Sequence, residues 1–458
     1  SQAREMPVPQ RRTMLNFRKD LYADVRIEDR FTTSIRYRDG ALEECKETTK
    51  KKAFLRVFDG NIWYYASTYK VDDLQGELDR LYESATPNKD IEAHPVVKRF
   101  QANTDERMLF AGKSVKKVPL AEKQKLLEAR FPVFAVSEYV RMSIALYLDR
   151  YSAYEFYSSK GASLKWDYQT CGCVFSFALA NEKDNFSEMF QRSAFSFEEL
   201  SVPEEELKSA VLEAENFLLH AKPVEAGVYP VILAPVVAGV FAHESFGHKS
   251  EADFMLGDET MKKEWALGTK VGADILSIYD SGIDFGSGYT PYDDEGTKAT
   301  KTYLIKNGVL SGRLHSVSTA ADLDEAPTGN ARAISCDYEP IVRMTNTVID
   351  AGDKTKEELF AGIKHGYYIK TLKHGSGMST FTIAPSLAYE IVDGKVGDPV
   401  KIAVITGNVF ETLDLIDGLS DHTEMFSFVT GGCGKMEQYP LPVGFGGPYV
   451  SIAKMNVQ

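Results

Sequence analysis

The chain has 458 residues, 43% of them hydrophobic and 26% charged, with a formal net charge of -13. That length supports two or more packed domains whose cores need no covalent staples. The acidic balance gives no general attraction to a phosphate backbone, so nucleic acid is not an expected partner.

Five cysteines, at positions 45, 171, 173, 336 and 433, make no even framework and point to a reducing, cytoplasmic location. No membrane span is expected. The longest apolar run, Val228 to Ala242, is interrupted by Pro230, Pro235 and Gly239 and suits a buried strand leading into a helix. The N-terminal stretch carries Arg4, Arg11 and Arg12 and lacks the apolar segment of a secretion signal. A chain that begins at Ser1 rather than Met leaves a removed upstream segment, and with it export, open.

In chain order, Val25 to Arg38 is rich in β-branched and aromatic residues and meets a turn signal at Asp39-Gly40. Ala53 to Tyr69 repeats that pattern around Asp59-Gly60. Helices are predicted over about 71–84, with Leu74, Leu78, Leu81 and Tyr82 on one face, and over about 121–130. Strands follow between Phe134 and Ala180 with a turn at Lys160-Gly161. Residues 203–221 read as an amphipathic helix that Ser201 would cap, with acids in its first turn. The segment from Ala221 to Gly227 reads as a linker. Beyond it the chain is Gly-rich, with turns at Asn307-Gly308 and Asp393-Gly394 and one helix over about 353–366. The expected fold is α+β: an N-terminal mixed α/β domain over 1–221, then a mostly antiparallel β domain with few helices over 222–458.

The sharpest local pattern is His243-Glu244-Ser-Phe-Gly247-His248. The familiar zinc pattern His-Glu-x-x-His puts both imidazoles on one helix face. Here the spacing is one residue longer, and on a regular helix five positions rotate by about 140°, too far to share one small cation. The motif therefore needs a widened turn such as a π-bulge, for which Gly247 offers backbone freedom. Two neutral imidazoles, a third protein ligand and a water make a catalytic Zn²⁺ site. Glu244, beside the first imidazole, is placed to take a proton from the attacking water. The third ligand stays open on spacing: Glu251, Asp253, Asp258, Glu259 and Glu264 follow the motif, and Cys433 lies in the glycine-flanked stretch Thr430-Gly-Gly-Cys-Gly-Lys435.

Several spaced motifs resemble the TldD/PmbA family, metallopeptidases once described as modulators of DNA gyrase. They are His243 to His248, Asp294-Glu-Gly-Thr297, Asn307-Gly-Val-Leu310, Arg343-Met-Thr-Asn-Thr347 and Gly432-Cys-Gly-Lys435, in the family's order. The resemblance covers most of the chain and is strongest from about residue 230 onward. It implies zinc held by His243, His248 and Cys433, with Glu244 as general base, in the motif-containing TldD type. It also implies action on extended or unfolded peptides, and a homodimer or a heterodimer with a motif-lacking paralogue. Gly329 to Cys336 departs from the family's more basic version of that segment. Gly375 to Phe381 is a candidate cleft wall, with Ser376, Gly377 and Thr380 as substrate contacts, or else an ordinary Gly-rich hairpin. Two readings compete with a peptidase: a non-catalytic scaffold subunit, against which the intact motif speaks, and a metal-dependent amidohydrolase acting on non-peptide amides.

Other features read as structural. Cys171-Gly-Cys173 lies in a strand, so both thiols share a side and pack in a core. His374 and His422 read as solvent-exposed or hydrogen-bonded, and Lys50-Lys51-Lys52 as a solvated loop or strand end.

Overall fold

Asp39 and Gly40 both take positive φ, 49° and 78°, the requirement of a tight hairpin turn. They join two long strands, Tyr22–Arg38 and Ala41–Phe58. The structure, a computed structural model, describes residues 15–458. The basic stretch with Arg4, Arg11 and Arg12 lies outside the described residues.

A second long hairpin, Val140–Ser158 and Ser163–Ala180, pairs with the first through Tyr22–Arg38. These four strands, with Trp63–Thr68, Asn185–Ala194 and the parallel strand Thr104–Arg107, form one seven-stranded sheet. Strands of 17–19 residues span roughly 55–65 Å at about 3.3 Å per residue, long enough to reach over the second half of the chain. Alternation assigns the faces of Tyr22–Arg38. Val25 and Ile27 pack with Leu55 and Val57 against Leu78 and Tyr82 of the helix Leu74–Ser84. Asp24, Arg26 and Glu28, on the other face, are also buried, and Arg26 reaches the C-terminal half from there.

Besides two small two-stranded sheets, the C-terminal half has two further large ones. The larger has ten strands, with Leu372–Gly377 at one edge and Gly227–Leu233 between Val450–Val457 and His365–Ile369. The smaller has six and contains Ile278–Ser281, Asn346–Ile349 and Gly444–Gly447. The helix Pro235–Phe241 packs between them. On Gly227–Leu233, Val231 and Leu233 enter the core with that helix. Ile232 enters a second core with Leu207, Val211 and Phe217 of the helix Glu204–His220. A strand buried on both faces has no polar face to show, which explains the continuous apolar run. The second core also contains Phe31, Tyr147 and Phe175 from the N-terminal sheet, so both halves share it.

The fold is α+β with mostly antiparallel sheets, 42% strand and 23% helix. Three short helices in the second half escape the sequence reading: Glu259–Glu264, Val317–Leu323 and Val409–Asp414. Each is under two turns and shows no readable period. The helix expected over 353–366 is only Lys356–Ala361, because His365 already begins a strand. Ser201 caps nothing: Pro203 occupies the N-cap without a side-chain bond. Lys50, Lys51 and Lys52 lie within a strand, opposite Arg30, Asp29 and Glu28.

Buried polar contacts clamp the halves together. Arg56 bonds both Asp24 and Glu295 at 2.9 Å, with all three side chains 5% exposed or less. Arg26 donates to the carbonyl oxygens of Ser335 and Tyr338, Arg30 to that of Ile334, and Ser67 Oγ to that of Cys336. Replacing Arg56 by Ala leaves two carboxylates buried without their cation. The expected loss is about 3–5 kcal/mol of unfolding free energy in denaturant titration; a change below about 1 kcal/mol would show that the clamp does not hold the halves together.

Candidate metal centre

Pro235 starts the helix that carries the motif, a position where its missing N–H costs nothing. From Ala242 to Gly247 the helix widens into a π-turn, the local geometry that the long His-to-His spacing demands. Bonds of the i→i+5 type bring positions five apart toward one side. The ring centroids of His243 and His248 are 5.2 Å apart. Gly247 has helical φ and ψ of −59° and −46°, so conformational freedom is not its role, contrary to expectation. What matters is its missing side chain. A Cβ there would fall 2.1 Å from the sulfur of Met344, which is fully buried.

Cys433 arrives from a hairpin in which it pairs with Leu441. Gly432 before it has φ of 154°, and a Cβ there would meet the Leu441 carbonyl oxygen at 2.6 Å. Two cations hold the hairpin. Arg343, wholly buried, donates to the carbonyl oxygens of Cys433 and Gln438. Lys435 donates to Asp253 and to the Val342 carbonyl oxygen. Lys435 stands in the Gly432-Cys-Gly-Lys435 motif, but nothing in the sequence marked it for this task. Arg343 had a signal in the Arg343-Met-Thr-Asn-Thr347 motif, but no role.

The result is a cluster in which His243, His248 and Cys433 each offer one ligand atom, all within 4.8 Å of one another. Cys433 Sγ lies 3.7 Å from His248 Nε2. Bond lengths of roughly 2.0 Å to nitrogen and 2.3 Å to sulfur at tetrahedral angles put such atoms about 3.6 Å apart. Both ring nitrogens of His243 are buried with no hydrogen-bond partner, and buried imidazole nitrogens of this kind want a proton partner or a cation. The donor set of two imidazoles and one thiol suits Zn²⁺.

The electrostatics agree. Burial pushes the Cys433 thiol up, but the two imidazoles beside it, His243 and His248, outweigh it and bring the pKa down to about 5. Burial pushes His248 down, and its bonds to Cys433 and Glu251 lift it to about 10. The core thiols behave in the opposite way: burial raises Cys171 and pushes Cys173 up to about 12. Both are buried in the second core, as a structural role requires.

The acidic candidates for a ligand turn out to have other partners. Glu251 accepts from His248 Nδ1 at 2.9 Å, which fixes that ring and leaves Nε2 toward Cys433. Asp253 pairs with Lys435, Asp258 caps the helix Glu259–Glu264, Glu264 pairs with Lys249 and Glu259 is exposed. Glu244 stands at the mouth, its carboxylate oxygens 3.9 Å from His243 Nε2 and 3.8 Å from His248 Nε2. Its side chain is 28% exposed, against 2% for that of His243.

Ser376 and Gly377 end the edge strand Leu372–Gly377, and Thr380 begins its partner Thr380–Pro385. The hairpin tip is tied to the segment after the motif by Lys249, which donates to Ser379 Oγ. His374 is exposed on the same strand, and His422 is exposed beside Asp421. Neither joins the cluster.

The pKa values predict the behaviour of metal-stripped protein. Cys433 titrates below the ordinary thiol value of 9.0, so its stabilising charge is present at alkaline pH and is lost as pH falls through about 5. His248 titrates above the ordinary 6.5, so its contribution is present in acid and is lost as pH rises through about 10. Thiolate absorbance should therefore persist from neutral pH down to about 5 and vanish in Cys433→Ser. Thiolate that forms only near pH 9 would contradict the geometry.

Comparison with known proteins places the chain in a family. The pattern of the PmbA/TldA metallopeptidase C-terminal domain matches residues 226–458, and that of PmbA/TldA metallopeptidase domain 1 matches residues 23–86. A metalloprotease of Methanothermobacter thermautotrophicus is 33% identical over 443 residues, covering 95% of each chain. A zinc metalloprotease TldD homolog of Saccharolobus solfataricus is 36% identical over 243 residues, 52% of this chain and 53% of that one. Among solved structures, a Thermotoga maritima protein named for modulation of a DNA gyrase superposes with a TM-score of 0.75 at 19% identity, covering 96% of both chains. TldE of Thermococcus kodakarensis gives 0.70 at 14% identity, covering 94% of this chain and 96% of that one. The chain belongs to the TldD/PmbA family of metallopeptidases.

Proposed function

We propose that this chain is a zinc-dependent peptidase that hydrolyses extended or unfolded peptides, with His243, His248 and Cys433 as ligands and Glu244 as general base. The observation that carries the reading is the place of Glu244. Its two carboxylate oxygens face the two imidazole nitrogens at 3.8–3.9 Å from a partly open position. Bound among these ligands, Zn²⁺ supplies Lewis acidity that polarises a carbonyl and acidifies water.

The chain's own groups do the rest. Glu244 takes the proton of the attacking water and returns it to the leaving amine. Glu251 holds the ring of His248 by its Nδ1. The edge strand Leu372–Gly377 lies against the π-turn, and among the described residues it pairs on one side only, with Thr380–Pro385. A free sheet edge beside the centre suits a substrate that adds as a strand, recognised by its backbone. Ser376, Gly377 and Thr380 are the contacts this reading assigns to it. A cytoplasmic location, and pairing with a second copy or a motif-lacking paralogue, complete the proposal. Among the described residues no helix is long and apolar enough to cross a membrane.

The test is zinc content and cleavage of an unstructured peptide mapped by mass spectrometry. Wild type should carry about one zinc and cleave. Glu244→Gln should keep the zinc and lose roughly 10²–10⁴-fold in kcat. Zinc-loaded wild type that leaves peptide intact, or a Glu244→Gln variant with undiminished turnover, would overturn the assignment.

A further inference from the structure

A cavity behind the metal centre has no part in the mechanism above. It is small, with room for about 30 Å³ of solvent behind an open mouth. Arg150, Tyr154, Trp166 and Tyr168 line it from the second long hairpin, and Arg332 and Leu441 from the C-terminal half. Two contacts fix its place. Leu441 is the cross-strand partner of Cys433. Arg332 donates through Nη1 to the carbonyl oxygen of Met344 at 2.6 Å, and the sulfur of Met344 packs on Gly247. The cavity is therefore one side chain removed from the centre on two sides.

Arg332 is the unusual member. It is 8% exposed, and the bond to Met344 is its one hydrogen bond among the described residues. Burial pulls its pKa below the usual guanidinium range, and Asp294 offsets this only in part. Asp293 and Asp294 also line the cavity, and both have other partners. Asp294 accepts from the Ala333 N–H at 2.7 Å and lies 3.5 Å from Arg26. Asp293 accepts from the N–H groups of Glu295, Thr297 and Ala331. Arg332 thus keeps Nε and Nη2 uncommitted, the planar fork that binds a carboxylate through two parallel bonds. Arg150, whose Nε and Nη2 bond Ser152, Glu28 and Tyr154, adds a second positive charge to the wall. Tyr154 and Trp166, stacked on each other at 5.2 Å, give the wall an aromatic part.

We propose that this cavity is a subsite for a carboxylate of the substrate peptide, held by Arg332 with Arg150 beside it. The carboxylate is either the free C-terminus or the side chain of Asp or Glu. The proposal rests on the peptidase reading, since Leu441 of the cavity wall is the strand partner of Cys433 in that centre.

Three short unstructured peptides test it. One has a free C-terminus and no acidic residue. One is amidated and has none. The third is amidated and carries a single Glu walked through the sequence. Their affinities are measured by fluorescence anisotropy on the zinc-loaded full chain carrying Glu244→Gln, and their cleavage on wild type by mass spectrometry. The expected result is that the free-acid peptide or the Glu peptide binds about tenfold more tightly than the neutral one; which of the two does so identifies the source. Arg332→Gln should bring that ratio close to one, and Arg332→Lys should restore part of it, with zinc content and thermal unfolding as the check on folding. Equal affinity of all three peptides overturns the subsite, and needs no Arg332 variant to do so. A preference that survives Arg332→Gln in folded protein overturns it as well. Cleavage without a preference leaves the peptidase standing and removes the subsite. An Arg332-dependent preference without cleavage by wild type keeps the subsite and removes the peptidase.

Discussion

One widened turn of helix holds the centre together. In a regular α-helix His243 and His248 would diverge, and Cys433, 185 residues after His248, would meet only one of them. The π-turn from Ala242 to Gly247 brings both imidazoles to the same side. Such a turn makes poorer use of its hydrogen bonds, and its surroundings have to over-determine it. Met344 does so from one side, packed where a side chain on Gly247 would stand. The edge strand Leu372–Gly377 does so from another.

The same segment that supplies Met344 also sets the third ligand. Arg343 reaches from it to the carbonyl of Cys433, and Thr345 and Thr347 beyond it bond the buried Asp280. The strand pair of Ala331–Arg332 with Ile341–Val342 leads into this segment. The loop between those strands is gripped by Arg26, Arg30 and Ser67 of the N-terminal sheet. The first half of the chain, which contributes no ligand, thus helps to hold the frame on which the ligands sit. Its long hairpins reach far enough to do so because their strands are about three times the ordinary length.

Much of this was legible in the residues. The turn signals at Asp39-Gly40, Asp59-Gly60, Asn307-Gly308 and Asp393-Gly394 proved to be turns with positive φ at glycine. The helix Glu204–His220 shows a clear apolar stripe of Leu207, Val211, Ala214, Phe217 and Leu218, and all five are buried. The misspaced His pair called for a widened turn because helix geometry left no other way to bring the rings together. What was not legible depends on distant packing. Gly247 looked like a source of flexibility, since only the fold brings Met344 against it. Glu251 could be placed near His248 by spacing, but whether it met the metal position or Nδ1 depended on which way the chain left the π-turn. Lys435 gave no sign of its bond to Asp253, because that contact joins two loops far apart in sequence. The short helices had too few turns to show a period.

The central claim is that the π-turn and the Cys433 hairpin together make one zinc site of two nitrogens and one sulfur. X-ray absorption spectroscopy of the zinc-loaded protein measures this directly. The account predicts a shell with one sulfur at about 2.3 Å and nitrogen or oxygen neighbours at about 2.0 Å, with the sulfur lost in Cys433→Ser. A shell of nitrogen and oxygen alone in wild type would contradict it.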